Sequence, residues 1–119
     1  MLESWFNPGP ADAPVVERSP ETQLQVDAQT ATLALYHYDS CMYCGRVRKA
    51  IANLRLKIET RDVLRDMNFR RELAAGGGRT TVPCLRMDEH GQVCWMYEST
   101  AIIEYLIGRF GAAQRADGV

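Results

Sequence analysis

A chain of 119 residues with 46% hydrophobic residues and a formal net charge of −1 supplies one compact domain and no more. The near-neutral balance excludes a global electrostatic drive toward nucleic acid or anionic lipid. No apolar run approaches the roughly 18 residues of a membrane span, and no basic segment followed by an apolar stretch marks a signal peptide.

Residues 1–31 hold four of the five prolines, Pro8, Pro10, Pro14 and Pro20, in a mostly polar context. That composition predicts an extended or mobile N-terminal arm. Within it, Ser19-Pro20-Glu21 reads as an N-cap, a first-turn proline and a first-turn acid. A short helix over 20–29 is expected, with Leu24 and Ala28 on one face. Trp5 and Phe6 read as exposed aromatics of a polar end, against the alternative of a docking or membrane-surface anchor.

From residue 32 the pattern becomes regular. Residues 32–38 predict a buried strand and residues 42–55 a helix with Val47, Ile51 and Leu54 inward. A second strand runs from Lys57 to Asp62. A helix over 66–75 follows, with Asp66 as cap, Phe69 and Leu73 inward and Gly76 ending it, and Gly76-Gly77-Gly78 forms a flexible loop. Val82–Met87 and Gln92–Tyr97 form an antiparallel hairpin around a turn at 88–91. Ser99 caps a last helix with Ile102, Leu106 and Phe110 on one face. Residues 111–119 read as a fraying tail. The order βαβαββα predicts an α/β domain over 32–110. Its four-stranded mixed sheet holds a parallel βαβ half and an antiparallel hairpin, with helices on both faces.

Chemistry concentrates at Cys41-Met42-Tyr43-Cys44. A C-x-x-C between a strand and a helix is the arrangement a dithiol redox enzyme needs. The first sulfur then lies at a helix N-terminus, where free N–H groups and the helix dipole favour thiolate. Cys41 is the expected nucleophile and Cys44 the resolving thiol. Cys84 and Cys94 lie in different strands and read as two incidental buried thiols. This usage fits a cytoplasmic redox protein better than a secreted disulfide framework or a four-cysteine zinc site. Arg46 and Arg48 lie within about a turn of the thiols and are candidates for adding positive field; Arg55 and Lys57 read as solvated surface. His37 reads as a strand residue with a satisfied ring.

Thr80-Thr81-Val82-Pro83 opens the third strand. Pro83 fits either a cis bond that frees the Val82 N–H and C=O for a peptide-like ligand or a trans proline at a strand's first residue. Tyr97-Glu98-Ser99-Thr100 precedes the last helix, and a Ser-capped helix N-terminus can hold an anion. Tyr43 is expected to flank the active-site groove.

These residues together resemble glutaredoxins, the glutathione-dependent branch of the thioredoxin fold. The likeness runs from about Thr32 to Phe110 and rests on Tyr38–Cys44, Arg79–Pro83 and Glu98-Ser99. It implies a cis Pro83, a mixed disulfide of Cys41 with glutathione, and pairing of Val82 with the cysteinyl backbone of glutathione. It further implies a binding set of Tyr43, Arg79, Thr81, Val82, Pro83, Glu98 and Ser99.

Three departures stand out. Met42 replaces the family's usual proline, which adds a backbone donor at the helix start. Tyr38 replaces a frequent lysine, so Arg79 becomes the candidate partner of the glycine carboxylate. Glu98-Ser99 resembles the N-terminal domain of glutathione transferases. Those enzymes carry a second, all-helical domain for which the chain is too short, so transferase activity is not the main expectation.

The function implied is a glutathione-dependent thiol–disulfide oxidoreductase. It would act as a monomer on disulfide-bearing or glutathionylated proteins, without nucleic acid or a membrane span. The alternatives are a dimeric carrier of a [2Fe–2S] cluster ligated by Cys41 and glutathione, and a redoxin coupled to thioredoxin reductase.

Overall fold

The computed structural model describes residues 12–111. Trp5, Phe6 and the tail from residue 112 lie outside the described residues. The elements, in order, are α1 (Pro20–Thr30), β1 (Leu33–His37), α2 (Met42–Asn53), β2 (Glu59–Asp62), α3 (Met67–Gly77), β3 (Cys84–Glu89), β4 (Gln92–Tyr97) and α4 (Ser99–Leu106). A π-helical turn over Ile107–Gly111 extends α4.

The four strands form one sheet in the order β2-β1-β3-β4. β1 runs parallel to β2 and antiparallel to β3, and β3 pairs antiparallel with β4. This is the thioredoxin-like architecture that the element order predicts. β1 is buried along its whole length because helices cover both faces. Leu33 and Leu35 point to one face, where α1, α2 with its C-cap, and α4 with its π-helical extension contribute Val26, Val47, Leu54, Ile102, Leu106 and Phe110. Burying each large side chain of this set contributes about 1.5–3 kcal/mol. Ala34 and Tyr36 point to the other face, with Val63, Leu73 and Cys84 and the flanking rings of Phe69, Trp95 and Tyr97.

Several expectations need correction. The polar arm is not detached over its second half. Residues 12–19 have no regular structure, yet Ala13 and Val16 are buried in the first core. The Val16 N–H donates to Asn53 O at 3.0 Å. The Arg18 guanidinium donates to Leu54 O at 2.7 Å and Phe110 O at 3.2 Å, carbonyls at the ends of two helical segments. α1 is capped by Ser19 as expected, but it buries Val26 and Thr30 and leaves Leu24 and Ala28 exposed.

The third helix does not stop at Gly76. It runs through Gly77 and ends at Gly78, whose φ is +88°. Gly76 and Gly77 are part of the packing: a Cβ at Gly76 would run into the Trp95 ring, and one at Gly77 into the Tyr97 hydroxyl. Glycine lets the end of α3 sit directly on β4. The hairpin turn is tighter than expected, with positive φ at His90 and Gly91, and β3 therefore extends to Glu89. Cys94 is exposed on the edge strand, whereas Cys84 is fully buried.

Candidate functional site

β1 ends at His37, and Tyr38-Asp39-Ser40 leads to Cys41 at the N-cap of α2. The Cys41 N–H donates to Tyr38 O at 3.2 Å, and its Sγ accepts the Cys44 N–H at 3.3 Å. A sulfur therefore does what Ser or Asp does at an ordinary N-cap. Met42 and Tyr43 are exposed, Cys41 is partly exposed and Cys44 is fully buried. Burial, then the hydrogen bond with Cys41, pushes the Cys44 thiol up to about 12. Cys44 stays protonated at neutral pH, and Cys41 is the sulfur a substrate can reach.

Arg48 lends positive field to the buried thiol, where its charge opposes the upward push on Cys44, but its hydrogen bonds go to the loop before Cys41. Its guanidinium meets His37 Nδ1 at 2.8 Å and donates to Tyr38 O at 3.3 Å and Asp39 O at 3.1 Å. It thus clamps the loop that delivers Cys41. His37 is buried with its ring satisfied, and burial followed by the Arg48 charge holds it below the usual histidine range. Among the described residues, His37, Asp39 and Asp62 place three metal-type ligand atoms within 4.8 Å of one another. However, Arg65 pairs with Asp39 at 2.9 Å and Asp62 at 3.5 Å, so two guanidinium groups already supply positive charge there.

Beyond Tyr43 lies a cleft of about 600 Å³ built from three places in the chain. α2 contributes Tyr43 and Arg46. The α3–β3 loop contributes Arg79, Thr81, Val82 and Pro83. The β4–α4 junction contributes Tyr97, Glu98, Ser99 and Thr100. All seven residues of the expected binding set line this cleft, while Cys41 and Cys44 adjoin it through Tyr43 without lining it.

The Val82–Pro83 bond is cis. Val82 lies beyond the last sheet pair, Cys84 with Tyr97, and among the described residues neither of its backbone groups is hydrogen-bonded. Ser99 is not the cap of α4 but its first helical residue. The N-cap is Glu98, with φ +82° and no side-chain cap bond. Such a φ in a residue with a Cβ is strained by about 1–3 kcal/mol and occurs at ligand clamps. The first N–H groups of α4 therefore meet the cleft without a capping side chain.

Sequence reasoning passed over Tyr97 as a strand end. Its hydroxyl donates to Arg79 O at 2.9 Å and accepts the Arg79 N–H at 3.3 Å, and the Arg79 guanidinium lies 4.1 Å from its ring centroid. The signal was the pair Gly76-Gly77, which marks a close approach rather than a flexible loop.

The family model for the glutathione S-transferase N-terminal domain matches residues 35–114. The chain belongs to this family. The Glu98-Ser99 departure from the glutaredoxin pattern was its mark in the sequence. Among solved structures, maleylacetoacetate isomerase from Anaeromyxobacter dehalogenans with glutathione bound in its active site is 32% identical, with a TM-score of 0.53 over 67% of this chain and 38% of that one. The same enzyme with dicarboxyethyl glutathione and citrate bound is 34% identical, with a TM-score of 0.53 over 67% and 37%. The chain thus spans little more than a third of those isomerase chains. A thioredoxin-like protein, 22% identical with a TM-score of 0.51, covers 66% of this chain and 96% of its own, and shows the fold. A search of curated proteins finds no match. These comparisons give the [2Fe–2S] expectation no support. Among the described residues, no helix is long and apolar enough to cross a membrane.

Proposed function

We propose that this domain binds glutathione in the Tyr43–Arg79–Ser99 cleft and carries out thiol–disulfide exchange through Cys41. One observation carries the reading. The same cleft joins an unpaired Val82 backbone, an uncapped α4 N-terminus and Arg79, and it adjoins a dithiol whose second member is buried. Glutathione carries a peptide backbone and a carboxylate at each end. The Val82 N–H and C=O pair with its cysteinyl residue as an added strand. The γ-glutamyl carboxylate takes the α4 N-terminus and Ser99, and Arg79 takes the glycine carboxylate.

Cys41 thiolate attacks the glutathione sulfur of a mixed disulfide. A Cys41–glutathione disulfide forms and the partner leaves as its thiolate, which takes up a proton from water. A second glutathione thiolate then attacks, releasing oxidised glutathione and restoring Cys41. With a protein disulfide as substrate, Cys44 gives up its proton and attacks the Cys41 mixed disulfide. That frees the substrate thiol and leaves a Cys41–Cys44 disulfide, which glutathione reduces. Disulfide-bearing or glutathionylated proteins of the cytoplasm are the proposed partners, with the domain acting as a monomer.

The family match favours a second reading, in which bound glutathione is itself the nucleophile toward an electrophile, as in a transferase. The two separate cleanly. Calorimetric titration with glutathione tests the shared cleft, and absence of binding at millimolar concentration ends both readings. Turnover of a small glutathione mixed disulfide, coupled to glutathione reductase, tests the first. If Cys41→Ser retains that turnover, the exchange mechanism is wrong and the transferase reading gains.

A further inference from the structure

We propose that Tyr97 is the positioning residue of the cleft, holding Arg79 by its backbone and its guanidinium at once and so aiming the cation at the glycine end of glutathione. The inference rests on the glutathione reading and deepens it by naming what sets the selectivity for that end.

Arg79 begins the exposed loop that joins α3 to Pro83. A loop of exposed residues following a glycine holds a long side chain poorly, because each ordered rotamer opposes its own entropy. Here one side chain from the far strand removes that freedom. The Tyr97 hydroxyl accepts the Arg79 N–H and donates to the Arg79 carbonyl, so both backbone groups of one residue close on one oxygen. The Tyr97 ring then seats the guanidinium by a cation–π contact at 4.1 Å. Burial and the neighbouring Cys84 thiol push the phenol above its usual range, so the hydroxyl keeps the proton it donates.

The hydroxyl is itself fixed from two sides. Tyr97 closes the sheet opposite Cys84. Gly77 at the end of α3 leaves the space the oxygen occupies, space that any Cβ would take. Tyr97 is followed directly by Glu98, the strained cap of α4. One residue therefore links the two ends of the cleft: it precedes the γ-glutamyl clamp in sequence and grips the glycine clamp in space.

The test compares glutathione with γ-glutamylcysteine, which lacks the glycine carboxylate, by calorimetry on the full chain. Tyr97→Phe keeps the ring and removes the hydroxyl. It is expected to weaken glutathione about five- to tenfold, the range of one or two lost hydrogen bonds, and to leave γ-glutamylcysteine within about twofold. Arg79→Gln should do the same, and adding Tyr97→Phe to it should change little further, since the tyrosine acts through the arginine. Gly77→Ala reaches the same oxygen by another route and should reproduce the glutathione-selective loss.

Hydrogen exchange of the Arg79 amide reads the positioning without ligand, and it should accelerate in Tyr97→Phe. Equal weakening of both ligands, or additive losses in the double variant, would make Tyr97 a general structural residue and overturn the proposal. If the wild-type chain binds neither ligand, the glutathione reading falls. In that case the exchange rate decides alone, and an unchanged Arg79 amide overturns the positioning role.

Discussion

Two helices present their first turns to the cleft, and they begin in opposite ways. α2 is capped by its own Cys41 sulfur, which accepts the Cys44 N–H. α4 starts at a strained Glu98 that gives no side-chain cap. The helices away from the cleft follow the ordinary rule, with Ser19 capping α1 and Asp66 capping α3. A helix end that serves only the fold satisfies its own N–H groups. Of the two that face the cleft, one is capped by a partly exposed sulfur, the proposed reacting atom, and the other leaves its first N–H groups without a side-chain cap.

The largest expected effect breaks the comparison at α2. Cys41→Ser should lower turnover of a glutathione mixed disulfide by at least about a hundredfold, because a hydroxyl can cap the helix but is a far weaker nucleophile at neutral pH. Cys44→Ser should retain much of that turnover, since a second glutathione can resolve the intermediate. Melting temperatures of the two variants separate capping from chemistry: Cys41→Ser should melt close to the wild type.

At α4 the expected loss is smaller. In the proposed complex Ser99→Ala removes a hydrogen bond to the γ-glutamyl carboxylate, worth roughly 1.5–3 kcal/mol in binding, so glutathione should bind about tenfold or more weakly. Because Ser99 is not the cap, thermal stability should scarcely move, and dithiothreitol should still reduce Cys41–Cys44 at the wild-type rate. Glu98→Gly sharpens the same point in stability. Relief of the positive φ should raise stability by about 1 kcal/mol while glutathione affinity falls, as measured by urea unfolding and calorimetry. A destabilised variant would mean that Glu98 is not strained.

The smallest effect is one of pH. Burial raises Cys44 to about 12 and Cys84 to about 11, above a thiol's ordinary value in the unfolded chain. Between those limits the unfolded state binds fewer protons than the native one, so stability falls as pH rises. This contribution is fully present below the unfolded value and fades from about pH 9 upward. Cys44→Ala should flatten the alkaline slope of the melting temperature; an unchanged slope would place the titration elsewhere.

Much of this was legible in the chain because its signals are local. The thiol pair, the Thr81-Val82-Pro83 run and Glu98-Ser99 are short patterns whose chemistry depends on neighbours in sequence, and the helix and strand periods set the βαβαββα order. What was not legible depends on contacts across the fold. Tyr97 gains its role from Gly77 and Arg79, which reach it only through the α3–β4 packing. Arg48 lends its charge to Cys44 and also clamps two carbonyls nine and ten residues back, a second role that its place in the helix does not announce. Cys94 looked like a core thiol because an alternating pattern does not say which strand lies at the sheet edge. Ala13 and Val16 were hidden by the prolines around them, which predict an arm but not what the arm lies against.

The clasp made by Arg18 sets an order of events during synthesis. Residues 12–31 leave the ribosome before the carbonyls that receive the Arg18 guanidinium, which belong to Leu54 and Phe110, the latter 92 residues downstream. Contacts of such sequence separation form late, after the intervening chain has condensed. A segment made early is therefore among the last to dock, because its partners must be made and brought together first.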